Sequence, residues 1–192
     1  MPHLGKAYHD ALTQLPNRTL MFDRLNLAIA RNARTRRLLV VCFADLDNFK
    51  PINDNFGHAA GDRVLIEVAR RLRTSVRGGD TVARLGGDEF IVLLSELEDE
   101  SEVLPAVERM INTLNQPLEI DGHVINVEVS MGYSIYPDDS ENAAGLISLA
   151  DQAMYDAKYS DSGKVRRYRP RRTEAEDSDR KTMSSNKASA DN

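Results

Sequence analysis

The sequence has a single cysteine, Cys42, set in the apolar run LLVVCFA. One thiol cannot close an intramolecular disulfide, and no Cys/His group with zinc-ligand spacing occurs. A disulfide scaffold and a zinc module are therefore excluded, and a reducing, cytoplasmic setting is expected. Long hydrophobic runs are also missing. Residues 38–44 form the longest, far short of the roughly 20 that a membrane-crossing helix needs, and no secretory h-region opens the chain. This segment is expected to be soluble and without direct membrane contact. Positive charge is in deficit: 25 Lys and Arg against 30 Asp and Glu leave a formal net charge of −5. That balance argues against a nucleic-acid partner, and it obliges any anionic substrate to meet individually placed cations or a metal. What is plentiful is core material: 41% of the 192 residues are hydrophobic, enough for one well-buried domain.

Along the chain, Asn17 or Thr19 can cap a helix carrying Leu20, Phe22, Leu25, Leu27 and Ile29, which should end among Arg34, Arg36 and Arg37. Residues 38–46 are β-branched and aromatic enough for a buried strand. Val64, Leu65, Val68, Ala69 and Leu72 mark one face of a helix over about 61–76. Residues 81–85 and 90–94 read as a β-hairpin across a Gly-Gly turn, because glycine takes the positive φ that a tight reversal needs. A helix is expected over 103–114, strand-like runs at 118–120 and 123–136 flank Asp121-Gly122, and 142–158 reads as a last amphipathic helix. The alternation predicts an α/β fold, a central and mainly antiparallel sheet flanked by helices. Beyond Tyr168 apolar residues nearly vanish, and a segment unable to offset its ordering entropy by burial is expected to form a disordered tail over 170–192.

Chemistry-bearing residues concentrate in three segments. In ADLDNFK, Asp45 and Asp47 abut the apolar run and would share one strand face; such costly carboxylates fit either a strand end entering a solvated turn or an oxygen-ligand site for a hard cation. In LGGDEF, Asp88 and Glu89 project from a glycine hairpin. Adjacent strand residues point to opposite faces, so one of the two is expected to meet Asp45. Phosphoryl transfer wants Mg²⁺ held by one or two carboxylates plus phosphate oxygens, which two strand-end acids could supply. In NDNFGHAAGD, Asn53 and Asp62 are suited to reading a guanine edge, because a carboxylate can accept from N1–H and the exocyclic amine. The same residues also suit turns and helix caps, and His58 suits a structural hydrogen bond.

Four motifs in order, DALTQLPNR, ADLDNFKPINDNFGHAAGD, RLGGDEF and SLADQAMYDAK, make residues 10–168 resemble a GGDEF domain. The resemblance implies a polymerase-palm-like (nucleotidyl cyclase) α/β fold and diguanylate cyclase activity: two GTP condensed into cyclic di-GMP with release of pyrophosphate, across a homodimer of facing subunits. It implies a GGDEF domain over 10–169, preceded by a linker or the end of an upstream signalling helix over 1–9, within a longer parent protein that could be membrane-anchored. By matching position, Asp45, the carbonyl of Leu46 and Asp88 would bind Mg²⁺ (or Mn²⁺). Asp88 would also serve as base for the 3′-hydroxyl, and Glu89 would assist. Asn53, His58 and Asp62 would contact the purine and sugar, while Lys50 and Lys158 would meet phosphates.

Two departures stand out. Gln14 occupies a position where glycine is usual, and after Lys158 the run YSDSGKV is longer than the usual step and puts Lys164 in place of arginine. Lysine offers a point charge where arginine offers a planar fork. In Arg77-Gly78-Gly79-Asp80, composition alone reads as a surface turn, but the spacing before the signature resembles the RxxD inhibitory product site. There Arg77 could grip a guanine or phosphate and Asp80 could accept from a Watson–Crick edge. Two non-catalytic alternatives are a GTP- or cyclic di-GMP-binding sensor module and a protein-interaction domain whose charged motifs are solvated turns.

Overall fold

The computed structural model describes residues 8–160 and 164–169. The elements run α1 (Arg18–Thr35), β1 (Leu38–Asp47), α2 (Phe49–Phe56), α3 (His58–Ser75), β2 (Thr81–Gly86), β3 (Glu89–Leu97), a 3₁₀ turn (Glu100–Glu102), α4 (Val103–Leu114), β4 (Leu118–Ile120), β5 (His123–Ile125), β6 (Glu128–Tyr136), α5 (Ala143–Lys158) and β7 (Val165–Arg167). Five strands form one sheet in the order β2-β3-β1-β6-β7, antiparallel except for the β6/β7 pair, and β4 with β5 forms a separate hairpin.

The near-continuous apolar stretch of β1 follows from its central place. Val40, Cys42, Ala44 and Leu46 face one core with α3 and α4, whereas Leu39, Val41 and Phe43 face a second with α1 and α5. A strand covered on both faces loses polar alternation. Cys42 is fully buried there, and burial pushes its thiol well above the usual range.

Asn17 caps α1 by accepting from the Leu20 N–H at 3.1 Å, and α1 ends at Arg36, whose φ is +54°. Its buried residues are Met21, Leu25 and Asn32, while Leu27 is exposed. Three features differ from the sequence reading. The stretch before the long helix is itself helical, as α2, and α3 starts at His58 rather than near residue 61; the two helices meet at Gly57, whose φ of +85° turns the chain between them. The apolar run 123–136 is split, β5 belonging to the small hairpin and β6 to the main sheet. Finally, β7 is a strand that sequence periodicity does not announce.

Gln14 adopts φ +60°, the left-handed region where glycine is comfortable and other residues pay roughly 1–2 kcal/mol. Its N–H donates to the Asp10 carbonyl at 2.9 Å, so the turn closes as a glycine would close it. Among the described residues no helix is long and apolar enough to cross a membrane. The tail over 170–192 lies outside the described residues, as do residues 1–7 of the leading segment.

Candidate active site

Register brings the acids together. Asp45, near the end of central β1, pairs across with Glu89 at the start of β3 on one side and with Ser130 of β6 on the other. The Leu46 N–H donates to the Asp88 carbonyl at 3.3 Å, tying β1 to the hairpin turn, where Gly87 takes φ +54°. From the opposite end of the sequence, α5 delivers Lys158, whose ammonium lies 2.7 Å from Asp45 Oδ1 and 3.8 Å from Asp47 Oδ1. Lys164, at the entrance to β7, lies 3.0 Å from Asp47 Oδ2. Despite the longer YSDSGKV run, both lysines thus reach the same strand end.

Burial, then repulsion from Asp45, raises the Asp88 carboxyl above its ordinary value against the opposing pull of Lys158 and Arg84. Glu89 is raised by burial first, then by Asp45, Asp151 and Asp88, with Arg18 opposing. Asp45 therefore acts on both hairpin acids, not one. Strand alternation does not separate them because Asp88 sits in the turn and only Glu89 belongs to β3. Burial alone would lower the Lys158 ammonium, but Asp45, Asp47 and Asp88 outweigh it and hold it above the usual range. Asp151 of α5 is a further acid absent from the sequence reading, raised by burial and by Asp45.

Asp45 and Asp88 are hard oxygen donors, and Asp45 disfavours the charge on Asp88, a repulsion that a divalent cation relieves. Among the described residues no three His, Cys, Asp or Glu side chains converge as a metal cluster. The donor set present, two carboxylates with the Leu46 carbonyl between them in the chain, suits an ion that takes its remaining ligands from a substrate.

Asn53, His58 and Asp62 lie at the α2–α3 junction, His58 and Asp62 exposed. The Asn53 amide lies over Gly61: a Cβ there would come within 1.8 Å of Asn53 Oδ1, so Gly61 makes room for that side chain. Lys50 is exposed in the first turn of α2. Arg77 and Asp80 are elsewhere, at the far end of β2 from the hairpin turn, about 20 Å away by strand rise. There the Asp80 carboxylate accepts from the Arg77 N–H at 2.9 Å and the Ser95 N–H at 3.0 Å, and the Arg77 guanidinium is exposed, 3.8 Å from Glu102. With Arg109 and Pro105 these residues line a cavity of about 220 Å³.

One bond network was not anticipated. Arg84, just before the glycines, donates to the Gly87 carbonyl at 3.0 and 2.7 Å and to both Asp10 oxygens at 2.9 and 3.1 Å. Asp10 also accepts from the Thr13 N–H and hydroxyl at 2.8 and 2.7 Å. Arg84 thereby braces the hairpin turn against the N-terminal turn. Burial alone would raise the Asp10 carboxyl, but Thr13 and Arg84 outweigh it and hold it below its ordinary 3.8. Asp10→Asn should destabilise the domain by about 1–3 kcal/mol, since it leaves a mostly buried guanidinium short of its anion. Because the folded value is depressed, the gap between wild type and variant should be full above pH 3.8 and close as pH falls through the folded value; denaturation midpoints across pH check this.

An α/β domain presenting five acids and two lysines around one end of a mainly antiparallel sheet is the class that fold and site define. Comparison with known proteins makes it particular. The family model described as "Diguanylate cyclase, GGDEF domain" matches residues 7–164. The chain is 42% identical over 162 residues to the diguanylate cyclase TpbB of Pseudomonas aeruginosa, covering 84% of this chain and 37% of that protein. It is 45% identical over 152 residues to the bifunctional diguanylate cyclase/cyclic di-GMP phosphodiesterase MucR of the same species, covering 79% of this chain and 22% of that one. The solved GGDEF domain of TpbB superposes with a TM-score of 0.80 at 40% identity, covering 84% of this chain and 94% of that structure. The GGDEF domain of DgcB from Caulobacter crescentus, solved in complex with c-di-GMP, gives 0.77 at 27% identity, covering 88% and 96%. The chain belongs to the GGDEF domain family.

Proposed function

We propose that this chain is a diguanylate cyclase, condensing two GTP into cyclic di-GMP with release of pyrophosphate. The observation that carries the reading is the meeting of Asp45, Asp88 and Glu89 with Lys158 and Lys164 at one strand end. Asp45, the Leu46 carbonyl and Asp88 would hold Mg²⁺ or Mn²⁺, which when bound supplies charge neutralisation to the triphosphate and acidifies the attacking hydroxyl. Asp88 would take the proton of the 3′-hydroxyl, with Glu89 assisting beside it. Lys50, Lys158 and Lys164 meet phosphate charge, and Asn53, His58 and Asp62 read the purine and sugar. Each subunit holds one GTP, so the new bonds, 3′-oxygen to the other nucleotide's α-phosphorus, form only when two subunits face each other.

At Arg77 and Asp80 we read a separate product site. A carboxylate has about four lone-pair positions, so an Asp80 that already accepts two N–H groups keeps capacity for a guanine edge, and the exposed Arg77 guanidinium keeps its donors. Purified protein given GTP and Mg²⁺ should form cyclic di-GMP, with specific activity rising with protein concentration. Added product should inhibit in a way that more GTP does not overcome. Chromatography of the product checks all three; activity per molecule that stays constant from deep dilution upward in a monomeric chain refutes the facing-subunit reading.

A further inference from the structure

We propose that Asp47 is a positioning residue, holding the Lys164 and Lys158 ammonium groups where the terminal phosphates of the nucleotide arrive. This rests on the reading of the site as a GTP site, but it concerns a residue to which that reading gives no role.

The Asp47 side chain is only 5% exposed, an expensive place for a carboxylate. Its oxygens are 3.0 and 2.8 Å from the Ser130 hydroxyl, which is itself fully buried on neighbouring β6. The register explains the bond: Ser130 stands opposite Asp45, one diagonal step from Asp47. With its orientation fixed in this way, Asp47 presents Oδ2 to Lys164 at 3.0 Å and Oδ1 towards Lys158 at 3.8 Å. Lys164 is held at its other end too, since its carbonyl accepts from the Met131 N–H at 2.8 Å where β7 joins the sheet. Backbone and ammonium thus each have a partner on β6 or β1, with the exposed Glu128 carboxylate 3.8 Å further out from the ammonium.

A buried ion pair is poor support for stability, because apolar residues of similar volume usually serve as well. What such a pair does supply is geometry. Lysine carries a compact charge on a flexible stem and has no planar fork to aim itself at a phosphate. The Ser130–Asp47 pair provides that aim from outside the side chain, and it orients two lysines, delivered six residues apart in sequence, with one carboxylate.

The test is calorimetric binding of a non-hydrolysable GTP analogue and of GMP, each with Mg²⁺. Asp47→Asn keeps the volume and an acceptor for Ser130 but loses the charge that holds the lysines. It should weaken the triphosphate analogue by about tenfold while leaving GMP, which lacks the terminal phosphates, within about twofold. Lys164→Met should weaken the analogue similarly, and Asp47→Asn added to Lys164→Met should cost less than it does alone, because the nearer of the two lysines it acts through is gone. Equal analogue affinity in wild type and Asp47→Asn, equal losses for analogue and GMP, or full additivity with Lys164→Met overturns the proposal. Should Asp47→Asn fail to fold, Ser130→Ala serves: it should cost the analogue about threefold and GMP nothing, and unchanged binding overturns the proposal equally. A wild-type chain that binds neither nucleotide would instead overturn the reading of the site.

Discussion

Replacing Asp88 by asparagine is expected to lower cyclic di-GMP formation by about 10³-fold or more while leaving the domain at least as stable as wild type. The two halves of that expectation have one cause. Asp88 sits in the hairpin turn with its carboxyl raised first by burial and then by Asp45. A carboxyl whose folded value is raised costs the fold nothing below its ordinary value, destabilises it increasingly as pH climbs from there, and reaches its full cost above the folded value. At neutral pH the ionised side chain is therefore a liability to the fold, at the position to which the proposed function assigns a metal ligand and base. Asparagine matches its volume, removes the repulsion on Asp45, and is a poor metal ligand and no base. Product chromatography together with thermal melting in metal-free buffer reads both quantities. Wild-type turnover in the variant would overturn the role given to Asp88, and a large drop in melting temperature would overturn the electrostatic account of its environment.

Much of the frame was legible because local chemistry and tertiary packing agree in it. Asn17 before an apolar period, the glycines of the hairpin, and Asp121-Gly122 with φ of +52° and +76° are positions where the backbone demands those residue types. What escaped was set by partners distant in sequence. The helix α2 is eight residues long with Ile52 its one buried residue, too little for a periodic signal. The strand β7 is three residues, Val-Arg-Arg, and exists because the β6 edge is there to pair with it.

The site divides the same way. Asp45, Asp88 and Glu89 lie next to their structural cause, a strand end and a tight turn. Asp10 and Arg84 are 74 residues apart and Lys158 and Asp45 are 113, so nothing in either neighbourhood announces the bond. One signal was available: a second carboxylate, Asp47, directly after an apolar run requires compensation, and the lysines supply it.

Gly132→Ala is expected to destabilise the domain by about 3 kcal/mol or more, although it adds a single methyl group. Gly132 lies in β6, paired with Phe43 of β1 and Arg166 of β7. A Cβ built there falls 2.0 Å from the Met154 nitrogen, 2.4 Å from the Ala150 oxygen and 2.5 Å from the Ala153 carbonyl carbon. All three are backbone atoms of α5, and none can swing aside as a side chain would. Ordinary contact can be restored only by lifting the helix off the sheet by more than about 1 Å, against Leu146, Ala150 and Met154, which are buried beneath it. The same helix ends at Lys158, one turn after Met154, so the shift is transmitted to the ammonium now 2.7 Å from Asp45. Misplacement of that order in a site of fixed charges costs about 10²-fold, and the variant should show that loss in cyclic di-GMP formation at low temperature, where it stays folded. Gly122→Ala is the matched control: its φ of +76° makes alanine cost about 1 kcal/mol, but nothing lies within 4 Å of the added Cβ and no site element moves. Urea denaturation and turnover of the two variants separate strain in a turn from a collision between helix and sheet. A Gly132→Ala protein that unfolds at the same urea concentration as wild type would mean that α5 does not rest on β6 as closely as the structure has it.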